Sequence, residues 1–359
     1  MAIGEETWSR QRVSDQRTCQ MIEKLRDKRR IQNLRQILIF LTLLVILIAG
    51  VAFYILSRTH IKAWRLGVEL TPQAFAGIMG RALPALVGMT AAAFLIAVVS
   101  LSFQTITESK ILTPSMIGFD SIFVGTQTLV VFLFGAASPL FINPYLNYLI
   151  SAGGMVTISL FMYRGILRKS RNNTIYLLMF GLVLSGIIGS GTRYLQRIMT
   201  VYEFNHVQAA VNVTVNNMNT EIIFLALPLM VLITILIIGR HRIFNVMILG
   251  GQQARGLGVD YEKELQLNLL LIAIGMSIAT ALIGSLTFLG LLAVNASRMI
   301  LKTPRHLPLF ICSGLVAALS LIIGQGVVEF LQGGIPVTVI INLIGCIYIF
   351  KFILKENRK

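Results

Sequence analysis

Apolar runs of about 20 residues recur from residue 36 almost to the C-terminus, the length an α-helix needs to cross the hydrocarbon core of a bilayer. Lipid offers the backbone no hydrogen-bond partner, so such runs must fold as helices or as a closed barrel. Barrel strands alternate in polarity over about ten residues. Stretches such as QILIFLTLLVILIAGVAFYIL, residues 36–56, show no alternation. Composition agrees: 55% of residues are hydrophobic and 13% are charged, where soluble domains carry about 25% charged residues. The chain reads as an all-α polytopic membrane protein.

Ten spans follow from the runs: 36–57, 82–106, 116–136, 146–166, 174–192, 218–239, 265–286, 287–301, 307–331 and 336–354. The eighth is short and barely spans alone. RYLQRIMTVYEFNHVQAAVNVTVNN, residues 193–217, is only mildly apolar and is expected to hold a short helix outside the membrane or at its surface. The first run starts too late and runs too long for a cleaved signal peptide. Cys19, Cys312 and Cys346 are scattered, with neither zinc spacing nor a disulfide framework.

The net charge of +16 is distributed in a way that argues against nucleic acid. Basic residues gather in the N-terminal arm, residues 1–35, and then at Arg164–Arg171, Arg240–Lys263, Arg298–Arg305 and Lys351–Lys359. With ten spans these groups fall on one side, which the positive-inside rule makes the cytoplasm, together with both termini. Arg58, Lys62 and Arg65 are exceptions, in the first outside loop. The arm has an amphipathic pattern, with Met21, Ile22, Leu25, Ile31 and Leu34 as its apolar side. It is either a helix on anionic lipid or a plain orientation signal.

NVMILGGQQARGLGVDYEKEL, residues 245–265, interrupts this apolar chain between the sixth and seventh spans. It is not a dinucleotide fingerprint, because Tyr261 stands where the third glycine belongs. The nearest approach to a P-loop, GIIGSGT at 186–192, has Thr192 in place of the lysine. The stretch reads instead as two short helices, broken at Gly250–Gly251 and ended by Gly256 and Gly258. Met247, Ile248 and Leu249 would give the first a greasy tip. On composition alone, a docking element and a structural loop both fit.

NVMILGGQQARGLGV resembles the coupling loop of the FecCD family, permeases of importers for iron–siderophores, haem and vitamin B12. Leu249, Gly250, Ala254, Arg255, Leu257, Gly258 and Val259 match that family's L-G-x-x-x-A-R-x-L-G-V in order. ILTPSMIGFDS, residues 111–121, is similar to its P-L-A-x-P-x-[IL]-L-G-V-x-S segment through Pro114, Ile117, Gly118 and Ser121, with Gln104 matching upstream. GSLTFLGLLAVNASRMI, residues 284–300, resembles G-P-I-x-F-[VI]-G-L-[IV]-x-P-H-x-x-R through Gly284, Phe288, Gly290, Leu291 and Arg298. IPVTVIINLIGCIYIFKFIL resembles the closing span. The variants TESKILTPSMIGFDS and VIINLIG are most similar to the branch importing ferric siderophores in Gram-positive bacteria. Departures are Ser109–Lys110 for the family's Asn-Pro, Val294–Asn295 for its Pro-His, Arg81-Ala-Leu-Pro84 for its Arg-Leu-Pro-Arg, and a missing proline near Ile347.

The resemblance implies a type II ABC importer permease, a single domain over 36–356 with its coupling loop at about 240–264, in a bacterial plasma membrane. It implies a second permease subunit, identical or paralogous, two copies of a cytoplasmic ABC ATPase carrying ATP and Mg, and an extracellular substrate-binding lipoprotein. This chain would bind no cofactor or metal and would catalyse no reaction. The implied coupling residues are Leu249, Gly250, Gln253, Ala254, Arg255, Leu257 and Gly258. Segment 109–113 matches the family's cytoplasmic gate, making Ser109 and Ile111 gate candidates. Polar residues within spans usually face the bundle interior. Ser100, Gln104, Asn295, Gln325 and Asn342 are therefore candidates for the pathway, with helix–helix hydrogen bonding as the alternative. Arg81, Arg193 and Arg197 are candidates for meeting acidic residues of the binding protein. His60, His206, His241 and His306 read as loop residues far apart in sequence, with no metal-ligand cluster. The competing class is a secondary transporter driven by an ion gradient. It would need ionisable residues such as Asp120 or Glu329 near the midplane, and both lie near span ends; inverted repeats are not evident.

Overall fold

The computed structural model describes residues 34–61, 71–169, 174–212, 220–331 and 336–356. The basic arm up to residue 33 therefore lies outside the described residues, as do Lys62 and Arg65. Two compact units divide the chain, Met1–Val45 and Ile46–Lys359. In the first, the described residues form the opening turns of α1, Leu34–Thr59, where the Thr42 hydroxyl donates to the Ile39 carbonyl. The rest concerns the second unit.

Its helices are α2 Pro72–Ile106, α3 Phe119–Phe134, α4 Pro139–Ile142, α5 Pro144–Lys169, α6 Thr174–Ile198 and α7 Val201–Val211. They continue with α8 Thr220–Gly239, α9 His241–Met247, α10 Gly251–Gly256, α11 Tyr261–Ile283, α12 Leu289–Leu301, α13 His306–Phe330 and α14 Val337–Glu356. Each of the expected spans is occupied by a helix. Among the described residues, six helices are long and apolar enough to cross a membrane. At about 1.5 Å per residue α12 covers only about 20 Å of a core about 30 Å thick.

α2 is the axis of the bundle, packing against α8, α11, α12 and α13. Close approach needs missing side chains. A Cβ on Gly314 of α13 would run into the Phe94 ring, and one on Gly290 of α12 into the Ser100 side chain. α2 also begins ten residues earlier than the span expected at 82–106, so Arg81 lies within the helix rather than ahead of it.

α7 is the short helix expected in 193–217. It opens with a capping box: the Thr200 hydroxyl accepts from the Glu203 amide at 3.3 Å, and the Glu203 carboxylate accepts from the Thr200 amide at 3.0 Å. Two orphan donors are thus satisfied reciprocally. Its Val207 packs against Val131 and Ala136 at the end of α3. α8 then carries the chain to the opposite end of the bundle, where α9 and α10 lie.

Arg58, an exception to the charge count, is half-sheltered in a π-helical turn over Ser57–Ile61. Its guanidinium donates to the Tyr54 hydroxyl at 2.6 Å and lies 3.5 Å from the buried Glu329 carboxylate. Its charge is neutralised within the bundle, which removes it from the tally of free cations.

Candidate functional site: the α9–α10 platform and the gate segment

The chain leaves α8 through Arg240. Its guanidinium pairs with Glu264 of α11 and donates from Nε to Asn268 Oδ1 at 3.1 Å. Burial pushes the Arg240 pKa down. The Asn268 amide reaches back to Met247 Sδ at 3.6 Å. α9 is held from its other side by Phe244, fully buried, whose ring meets Phe310 edge-on at 5.7 Å.

Met247 is therefore part of the inward face of α9, buried to 1% exposure, and does not contribute to the greasy tip assigned to it from sequence. Ile248 and Leu249 do, at 46% and 50% exposure. The turn that presents them is closed by amide donations from Leu249 to Val246 and from Gly250 to Met247. Gly250 then adopts φ +93 and ψ 160, a region that only glycine populates readily. The two-helix reading of this loop matches the structure, with the break at 248–250. α10 exposes Gln253 and Arg255, and Leu257 is exposed at its C-cap. Ala254, by contrast, is buried against the rest of the chain. Gly258, at φ +84, ends the platform. Arg255 donates to Glu262 at 2.7 Å, but both side chains are about half exposed, and such surface pairs add little stability. Asp260 caps α11, and a hydrogen bond from the Lys263 side chain holds its carboxyl below the usual range.

The candidate gate segment leaves α2 through a Schellman-type end. Thr107 donates to Phe103 and Ser109 to Gln104, while Glu108 takes φ +51. Glycine usually fills this left-handed position. Ser109 Oγ accepts from the Ile111 amide at 3.5 Å. Asn295 of α12 donates to the Lys110 carbonyl at 3.0 Å, so among the candidates the structure brings Asn295 to Ser109 and Ile111. A turn of 3-10 helix at Ser115–Ile117 follows, its Ile117 seated where Gly181 of α6 has no side chain. Asp120 then accepts from Thr287, in the α11–α12 loop, at 2.5 Å. Both acidic residues that a gradient-driven transporter would use are engaged within the bundle.

Of the remaining pathway candidates, Gln104 meets this segment through its backbone carbonyl, which accepts from the Ser109 amide at 3.2 Å. Ser100 sits in the α2–α12 seam. Gln104, Gln325 and Asn342 each carry buried amide atoms without a hydrogen-bond partner among the described residues, a costly arrangement for a purely structural polar group. At the other end of the bundle Arg193 and Arg197 are exposed on the last turns of α6; the Arg81 side chain lies outside the described residues. A cleft of about 340 Å³ opens there between α3, α5, α7 and α11, lined in part by Gln127, Asn147, Tyr148 and His206.

The histidines correct the sequence reading. His206 is within α7, His241 opens α9, and His306 opens α13 with its ring buried. From sequence His306 reads as a loop residue, and Asn245 and Glu108 carry no signal; a histidine heading an apolar run was the one available sign.

Comparison with known proteins places this architecture. The profile of the FecCD transport family matches residues 37–355. The petrobactin import system permease protein YclO of Bacillus subtilis is 37% identical over 264 residues, covering 73% of this chain and 84% of that protein. The petrobactin import system permease protein FatC of Bacillus anthracis is 30% identical over 316 residues, covering 87% and 89%. Among solved structures, a metal-chelate type ABC transporter in an inward-facing conformation superposes with a TM-score of 0.72 at 20% identity, covering 89% of this chain and 99% of that one.

Proposed function

The chain belongs to the FecCD transport family, as a multi-pass membrane permease subunit of an ATP-driven importer, and we propose that it passes a ferric siderophore between itself and a second permease, identical or paralogous. Relatives named for petrobactin import make ferric petrobactin the first cargo to test. ATP and Mg belong to two copies of a cytoplasmic ATPase, which grip the α9–α10 platform. An extracellular lipoprotein delivers the cargo at the α7 end, where Arg193 and Arg197 present positive charge. Both termini are cytoplasmic and the membrane is the bacterial plasma membrane.

The observation that carries this reading is the platform itself. Ile248, Leu249 and Leu257 are exposed apolar side chains on a loop whose backbone is fixed by Arg240, Asn268 and Gly250. An apolar tip on a rigid base suits a groove on a partner, because a few buried anchors supply most of such binding energy. In vesicles containing the permease pair, its ATPase and the loaded binding protein, ferric petrobactin uptake should require ATP. Uptake driven by an ion gradient with the ATPase absent would overturn the proposal.

A further inference from the structure

Three helix ends converge on one side chain. The His306 ring, 1% exposed at the start of α13, places Nε2 2.9 Å from Thr105 Oγ1 in the last turn of α2. Its Nδ1 lies 2.8 Å from Asn245 Oδ1 of α9, and the same oxygen accepts from the His306 backbone amide at 2.9 Å. One face of the ring stacks on Phe244 of α9 at 5.9 Å between centroids, and Phe310 lies 6.0 Å away. Asn245 and Phe244 belong to the docking platform; Thr105 stands four residues before Ser109 of the gate.

We infer that His306 is a positioning residue that carries displacement of α9 to the gate, a step that rests on the ATPase-docking reading above. A buried planar ring with a polar atom within 2.9 Å of each nitrogen has little room for a shift of either neighbour, because hydrogen bonds weaken steeply with distance and angle. The Thr105 hydroxyl also stands 2.8 Å from the Leu101 carbonyl and donates there. It has a single proton, so carbonyl and imidazole compete for it, giving this end of α2 two hydrogen-bond states. A second contact runs in parallel: the Glu108 carboxylate lies 3.6 Å from where a Cβ on Gly250 would stand. Glu108 is also the residue held at φ +51, and strained backbone of this kind gathers at switch regions. Platform and gate thus meet through the ring, and the Glu108 carboxylate stands beside the Gly250 turn. Two discrete arrangements of a packed element are what energetic coupling between sites requires.

The test uses the permease–ATPase complex and needs no cargo. Lys110→Cys, at an exposed gate position, is introduced with the native cysteines removed, and its labelling rate by a soluble maleimide is compared with and without ATP and Mg. In the parent complex ATP should change the rate. Thr105→Val, which keeps volume and removes only the hydroxyl, should shrink that change by about fivefold or more, the lower end of ordinary coupling factors. Thr105→Ser should restore it, which a purely steric role would not predict. Asn245→Leu should act like Thr105→Val from the other side of the ring. Only complexes that retain their ATPase are scored, so a failed docking reading shows separately as loss of nothing in Leu249→Asp. An ATP response that is absent in the parent, or unchanged in Thr105→Val, overturns the inference. Should Asn245→Leu release the ATPase, Thr105→Val, outside the platform, decides alone.

Discussion

Replacing Leu249 by aspartate separates a docking tip from a mere connector. In this chain the side chain is 50% exposed, so half of it remains for a partner to cover. Full burial of a leucine is worth about 1.5–3 kcal/mol, and covering the remaining half about 1 kcal/mol. The carboxylate forfeits that gain and must also be desolvated without a partner, at a cost of several kcal/mol for a charged group. A net loss of about 3 kcal/mol lowers affinity roughly a hundredfold. Bundle stability should move by no more than about 0.5 kcal/mol, as for exposed positions generally. Met247→Asp is the contrast. Its side chain is 1% exposed and meets Asn268, so it should damage the bundle itself. The assay is co-purification of the ATPase with each permease, alongside thermal unfolding in detergent. Full ATPase recovery by Leu249→Asp, with normal uptake, would refute the docking argument.

In a cysteine-free background, Ala137→Cys, in the exposed turn before α4, should react with an impermeant thiol reagent on whole cells, and Gln252→Cys only after permeabilisation; the reverse pattern would overturn the orientation. Glu329→Gln leaves Arg58 sheltered beside a neutral group and should cost about 3 kcal/mol, as for other broken buried pairs, read as a lower unfolding temperature. An unchanged temperature would mean that the pair contributes nothing. Gly314→Ala drives a methyl into the Phe94 ring and should destabilise by about 1–3 kcal/mol, with partial recovery when combined with Phe94→Leu; a neutral single variant would show that the seam can open.

The spanning helices were legible because bilayer crossing imposes a length and a composition that no other constraint imitates. The start of α2 was not. PQAFAGIMGR carries proline, glycine and arginine, and reads as loop until the packing around it is known. In the platform the glycines gave the break between helices, since φ +93 at Gly250 leaves few alternatives. Which side chains face inward was hidden. A helix of six or seven residues is too short for a 3.6-residue period to declare a face, so Met247 and Ala254 turned out buried. The His306 node is invisible for another reason: its partners stand 61 and 201 residues away in sequence. T-x-x-E at Thr200–Glu203 is a helix start that the sequence displays openly, because both halves of the capping box lie three residues apart.

The Arg58–Glu329 pair also imposes an order on synthesis. Glu329 is made about 270 residues after Arg58, and ribosomes add on the order of 5–20 residues per second. For tens of seconds the nascent N-terminal helix exists with its cation and without the counterion. Within its own helix the folded bundle gives it the Tyr54 hydroxyl, one turn away. A hydroxyl acceptor one turn away is thus available from the first span alone, before the ninth span supplies the carboxylate.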